Sequence, residues 1–177
     1  KVSIILAQDQ NDWSGRKCMD ATLADLDSEA VSFLKRKLAD TTKQKQYLSM
    51  ENSELLNRLS LLSNGTPVNA ALILLGKQEA VNRLMTDRAK ISWKYVDESS
   101  GTTERSTFET PLLNKLDNVL TKVGRFNVHL KEATLFRRNI KQYDDLALRE
   151  LLVNALAHRD WSIDLWIEIK QSPNEIS

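Results

Sequence analysis

Cysteine is almost absent from this 177-residue chain. Cys18 stands alone, which excludes an intramolecular disulfide and fits a reducing, cytoplasmic compartment. Histidine is as scarce: His129 and His158 are isolated, so no Cys/His cluster has the spacing of a zinc site. Long hydrophobic runs are missing. The longest, Ala70 to Leu75, falls far short of the roughly 20 residues that a membrane-spanning helix needs. Neither sign of charge dominates, with 25 basic against 24 acidic side chains and a formal charge of +1. Bulk charge therefore demands no nucleic acid, and any basic face has to come from local clustering. Internal repeats and low-complexity segments are absent too.

What is present is the composition of a globular protein, 41% apolar and 28% charged. The opening Lys1-Val-Ser-Ile-Ile-Leu-Ala is too short for a signal peptide and reads as a strand. A chain that starts within one strand pattern and stops just after another is expected to be a piece of a larger protein. Residues 1–20 then read as the closing strand and linker of an upstream domain, 21–65 as a helical segment, and 66–177 as an α+β segment.

Gln8 to Asp20 is polar and reads as a loop anchored by Trp13 and Cys18. Asp27 can cap a helix over Ser28 to Ala39, with Val31, Leu34 and Leu38 as its apolar stripe. Lys35-Arg36-Lys37 falls in the last turn of that helix, where cations complement the helix dipole; anion binding is the alternative. A second helix is expected over Ser53 to Leu62 on the spacing of its leucines, followed by a turn at Ser63-Asn64-Gly65. Thr66-Pro67 reads as a cap and first helical position, opening a third helix that Gly76 can end in a left-handed conformation.

Helix, short turn and helix raise the reading of a DNA-binding helix-turn-helix. Its second helix, however, offers Asn69 as almost the only side chain for a base edge and is otherwise apolar, so burial is expected instead.

Ala89 to Val96 alternates as a half-buried strand, and Glu104 to Phe108 is a second. Pro111 to Gly124 has helical spacing. Phe126, Val128 and Leu130 alternate again, ahead of a basic stretch from Lys131 to Arg138. Asp144 or Asp145 caps a helix to about His158, and Leu165, Ile167 and Ile169 make a last strand. The fold class expected is α+β, helix-rich, with helices packed on a small mixed or antiparallel sheet.

Chemistry is concentrated in the helix after Tyr143. It is mostly apolar and should lie deep against the sheet, yet Glu150, Asn154 and His158 repeat every four residues along one face. An unpartnered carboxylate and amide in a core would cost several kcal/mol, so these groups pair internally, face a wet cleft or meet a ligand. In the functional reading Glu150 polarises a water as base, and Asn154 holds a magnesium ion beside a nucleotide. In the structural reading Asn154 fastens the helix to the next strand through an internal hydrogen-bonded network. His158 reads as a partner of Asp160 or of a backbone group more readily than as a metal ligand.

The stretch Gln142-Tyr-Asp-Asp-Leu-Ala-Leu-Arg-Glu-Leu-Leu-Val-Asn-Ala-Leu-Ala-His-Arg-Asp-Trp161 resembles the most recognisable segment of a bacterial family described as RecG-related transcriptional regulators. Trp13 to Asp27, Asn64 to Lys77 and Ala89 to Tyr95 match in the same order. The resemblance implies an upstream Schlafen-type (Alba-like) DNA-binding domain, often a downstream winged helix, and a region similar to the start of the ATP-binding fold of gyrase, histidine kinases and MutL. Carried over by position, Glu150 is the candidate catalytic base, Asn154 the candidate magnesium ligand, and Asn154 with His158 the candidate cofactor-binding pair.

Departures are clear. Neither the Asp-x-Gly-x-Gly loop nor the glycine-rich lid of that fold occurs, and no Walker A sequence supports helicase activity. The expectation is a central fragment of an ATP-linked, DNA-associated regulator, without ATPase activity in isolation. ATP and magnesium belong to the full-length parent and DNA to its other domains. No membrane is expected, and a homodimer is compatible with the reading. The alternative is a structural or dimerisation module with a degenerate nucleotide site.

Overall fold

The computed structural model describes residues 13–85, 89–127, 129–131 and 139–177. The first expected strand, Val2 to Leu6, Val128 of a later one, and residues 132–138 of the basic stretch lie outside them. The chain divides into two compact units. One comprises Lys1–Ala89, Glu109–Asn114 and Asp160–Leu165; the other comprises Lys90–Phe108, Lys115–Arg159 and Trp166–Ser177. The architecture is α+β, with helices packed on small sheets, one of them mixed.

The first unit is helical. Asp27 caps α1 (Ser28–Thr42) by accepting from the Ala30 amide at 2.8 Å. The helix outlasts its expected end at Ala39 because Asp40-Thr41-Thr42 continues it until Lys43 turns left-handed at φ 60°. The Lys35-Arg36-Lys37 triplet is therefore mid-helix, and the last turn of α1 carries no basic residue. Lys35 instead donates to the Met50 carbonyl at 2.6 Å, tying α1 to the segment after α2 (Gln46–Ser49).

Glu51 caps α3 (Asn52–Arg58), which ends four residues earlier than its leucine spacing suggests. Leu62–Ser63 (β1) and Thr66–Pro67 (β2) form an antiparallel hairpin, so a hairpin and not a bare turn at Ser63-Asn64-Gly65 separates the two helices. Asn64 and Gly65, at φ 50° and 78°, supply the two left-handed positions that a two-residue hairpin turn requires. Thr66-Pro67 is consequently strand, and α4 (Asn69–Leu75) starts later, with Val68 at its N-cap.

The loop before α1 is zipped onto this hairpin and helix. The amide of Cys18 donates to the Pro67 carbonyl at 2.9 Å, and that of Asn69 to the Arg16 carbonyl at 2.9 Å. A second zipper joins Asp27 N to Leu75 O at 2.7 Å and Lys77 N to Asp25 O at 2.9 Å. Between them α4 buries Ala71, Leu72, Ile73 and Leu75, as its all-round apolar sequence anticipated. Gly76 ends α4 in extended backbone, φ −70° and ψ 145°, not left-handed. Glycine is needed there for space: a Cβ would lie 2.4 Å from the Leu72 carbonyl oxygen and 2.9 Å from a Val81 methyl of α5 (Gln78–Leu84).

In the second unit β3 (Lys90–Asp97) buries Ile91, Trp93 and Tyr95 on one face, the alternation read from the sequence. It lies between β4 (Thr102–Glu109) and β7 (Ile167–Gln171), and β7 runs parallel to it with Ile91 opposite Ile167 and Trp93 opposite Ile169. α6 (Leu116–Arg125) buries Val119 and Val123. A 3-10 turn, Leu112–Lys115, precedes it, and the helix runs one residue past Gly124. Phe126 is the cap residue of α6 rather than strand, and stacks on Tyr95 with ring centroids 4.1 Å apart. β5 (His129–Lys131) and β6 (Asn139–Lys141) form a separate antiparallel pair.

Two tests of the first unit follow. Gly76→Ala should destabilise it by about 1–3 kcal/mol, because a backbone carbonyl cannot yield the way a side-chain tip can; chemical denaturation reads this directly. The Thr22 amide, with help from the Arg83 guanidinium, holds the Asp25 carboxyl below its usual range. A depressed carboxylate contributes stability at neutral pH that is lost as pH falls through its folded-state value. The melting temperature should therefore drop below about pH 4, and Asp25→Asn should flatten that dependence while lowering stability at pH 7.

Candidate functional site

The candidate residues stand on α7 (Asp145–Ala157). Asp144 caps it by accepting from the amides of Leu146 at 2.8 Å and Ala147 at 3.2 Å. Asp145 in the first turn takes an ion pair from Lys141 and complements the positive helix end. Leu148 and Leu152, one turn apart, are the buried residues of the helix, and α7 packs against α6 along this side. The expected deep burial is thus only one-sided. Leu146, Leu151 and Val153 are 75%, 62% and 45% exposed, so an apolar composition covers both faces while the protein covers one.

Glu150, Asn154 and His158 are all exposed. Four-residue steps raise each head group about 6 Å above the last along one side of the helix, opposite Leu148 and Leu152. His158 is the C-cap residue, and its amide donates to the Asn154 carbonyl at 2.9 Å. Among the described residues, no hydrogen bond or ion pair holds the side chains of Glu150 or Asn154, and none holds the His158 ring. Asp160 accepts from the amide and hydroxyl of Ser162 at 2.9 and 2.5 Å. A free carboxylate, a free amide and a free imidazole therefore line one open row, rimmed by leucine and valine. Such a row can accept a proton, offer an oxygen to a hard cation and hydrogen-bond a polar ligand.

What fixes α7 in place was not read from the sequence. Asn127 is buried, and its amide grips the backbone of Tyr143 twice: Nδ2 donates to the carbonyl at 2.6 Å and Oδ1 accepts from the amide at 3.0 Å. The Tyr143 hydroxyl donates in turn to the Asn174 carbonyl at 3.1 Å. Gln171 is buried opposite Tyr95, accepting from Trp93 Nε1 at 3.0 Å and donating to the Val123 carbonyl at 3.1 Å. Asn127 between Phe126 and Val128 is a weak sequence signal, and Gln171 between Lys170 and Ser172 gives none.

Two cavities are lined by other residues. One of about 260 Å³ lies at the ends of β3 and β7, among Lys94, Lys170, Ser172 and Glu175. One of about 460 Å³ is in the first unit, among Trp13, Cys18, Asn69 and Arg83. Burial first, then the Asp25 and Asp20 carboxylates, pushes the Cys18 thiol up, which suits a packed side chain and not a nucleophile. Asn69 is buried and donates to the Trp13 carbonyl at 2.8 Å, so it is unavailable to a base edge. Among the described residues no group of three or more His, Cys, Asp or Glu is placed to hold a metal ion, and no helix is long and apolar enough to cross a membrane.

Comparison with known proteins yields a fold and a domain without a function. A family model of a domain of unknown function, DUF8451, matches residues 3–89. The crystal structure of the DIP2311 protein from Corynebacterium diphtheriae is similar over 90% of this chain, at 24% identity and a TM-score of 0.64. This chain spans 30% of that protein's chain. No curated protein matches.

The placement of α7 separates its fixing residues from its candidate ones. Asn127→Ala should destabilise the second unit by about 1–3 kcal/mol, because it strands two buried backbone groups of Tyr143. Glu150→Ala and Asn154→Ala, both on open surface, should each stay within about 0.5 kcal/mol of the parent chain. Urea denaturation of the three variants checks the contrast.

Proposed function

We propose that this chain is the central part of a cytoplasmic, DNA-associated bacterial transcriptional regulator linked to ATP, with Glu150 and Asn154 meeting a magnesium-bound nucleotide. The observation that carries this reading is the outer face of α7, where an unpartnered carboxylate and amide, one turn apart, are rimmed by exposed Leu146, Leu151 and Val153. Ligand sites are mostly apolar with a few placed polar groups, and this face has that make-up. The Asn154 side-chain oxygen suits a hard cation that keeps most of its waters, and Glu150 is the base within reach of a water beside it. The resemblance of Gln142 to Trp161 to the RecG-related segment supports the same two roles.

Titration calorimetry of the full-length parent with magnesium-ATP is the test. Asn154→Ala should weaken binding at least about tenfold, a loss of about 1.4 kcal/mol. Glu150→Ala should leave binding intact and abolish turnover. Absence of any ATP binding by the parent overturns the reading.

A second reading has one observation in its favour. The same exposed apolar residues suit a helix-to-helix contact with another copy, making the chain a structural or dimerisation module with a degenerate site. In that case the parent binds no ATP, and its mass in sedimentation depends on concentration and on Leu151.

A further inference from the structure

The basic triplet of α1 needs another explanation once its place in the helix is known. Cations complement a helix dipole only in the last turn, and α1 continues to Thr42 with no basic residue there. Lys35 is occupied with the Met50 carbonyl, and Lys37 lies 5.1 Å from the centre of the Phe33 ring. Arg36 has no such duty. It is exposed, and Lys43, the left-handed residue that ends α1 seven positions on, is exposed as well. The two are about 10 Å apart along the axis. Lys45, also exposed, follows at the corner before α2.

Among the described residues, no ion pair or hydrogen bond occupies the head groups of Arg36, Lys43 or Lys45. The only carboxylate between Arg36 and Lys45 is Asp40, which stands beside Arg36 without pairing to it. Glu51, the nearest acid on the far side of α2, is committed to the cap of α3 through Ser53. Among the described residues, the α1–α2 corner therefore carries three unpaired cations against the one carboxylate of Asp40, in a chain whose overall charge is +1.

We infer that this corner contacts the phosphate backbone of duplex nucleic acid through Arg36, Lys43 and Lys45, without reading base sequence. Long-stemmed cations are what backbone contact requires, and a single guanidinium fork, that of Arg36, beside two lysines is too little to specify a base sequence. An anionic membrane would call for apolar side chains beside the cations. Here Leu48 alone among large apolar residues is well exposed at the corner, on a helix of four residues. The inference is independent of the nucleotide reading, since it places a nucleic-acid contact in this chain and uses none of the α7 residues.

The test is fluorescence anisotropy of two unrelated labelled DNA duplexes titrated with the 177-residue chain at several salt concentrations. Three phosphate contacts give a log–log salt slope of about −2.7, so affinity should fall roughly 40-fold between about 50 and about 200 mM salt. The variant Arg36→Gln with Lys43→Asn and Lys45→Gln should lose about 2.7 from that slope and bind both duplexes equally poorly. Asparagine at 43 keeps the left-handed backbone accessible, so the melting temperature should not move. Removing the same charge elsewhere, by Lys94→Gln with Arg105→Gln and Lys115→Gln, should leave the slope within about one unit. The inference is overturned by an equal loss in that control, by no duplex binding in the parent chain, or by binding to phosphatidylserine vesicles in place of duplex.

Discussion

A buried side-chain amide must satisfy both its donor and its acceptor, and in the second unit two amides that do so tie β7, α6 and the start of α7 together. Gln171 joins β7 to the Trp93 indole of β3 and to the Val123 carbonyl at the end of α6. Asn127 joins the residue after α6 to the backbone of Tyr143, just before α7. Each amide uses a donor and an acceptor at once, so neither can slip by a residue without stranding a partner. Hydrophobic contact alone would allow α6 and α7 to slide, since leucines and valines fit many registers. The amides remove that freedom, and the row of Glu150, Asn154 and His158 inherits its orientation from them.

The first unit reaches the same end with backbone groups. Its two zippers, from Cys18 and Asn69 on one side of α4 and from Asp27 and Lys77 on the other, pair main-chain donors that no regular strand would satisfy. These contacts explain why the Thr66-Pro67 signature misleads. Locally the pair makes a good helix start, but the Pro67 carbonyl is claimed by Cys18, and Asn64-Gly65 supplies a hairpin turn that brings Thr66 back beside Ser63. A long-range pairing outweighs a local preference worth only about 1 kcal/mol.

How much could be read in advance follows the same division. Where a signal is local, as with the Asp27 cap, the Asp144 cap and the alternation from Ala89 to Tyr95, sequence and structure agree. Where it depends on a distant partner, they part. α1 runs past Ala39 to Thr42 because Asp40, Thr41 and Thr42, though polar, lie on an exposed helix face and carry no stop signal. The candidate site shows both cases within one helix. Four-residue spacing put Glu150, Asn154 and His158 on one side correctly, since that is helix geometry alone. Their exposure was not legible, because leucine, alanine and valine all round α7 suggest cover on every side.

That mismatch is the most informative property of α7. A solvent-facing helix normally gives its outer side to lysine, glutamate and arginine, and loses nothing in helix propensity by doing so. Here the outer side keeps Leu146, Leu151 and Val153, and with them three polar groups that make no bond within the described protein. Apolar residues alone would mark a packing surface, and polar ones alone an ordinary solvated face. Their combination is the make-up on which the proposed ligand-facing reading of α7 rests. The α1–α2 corner is built on the opposite principle: among the described residues its cations pair with no carboxylate and have Leu48 as the one well-exposed large apolar neighbour, which suits a partner held by charge and not by burial. The two surfaces differ in make-up, one apolar with a few polar groups and the other cationic, and each therefore calls for its own test.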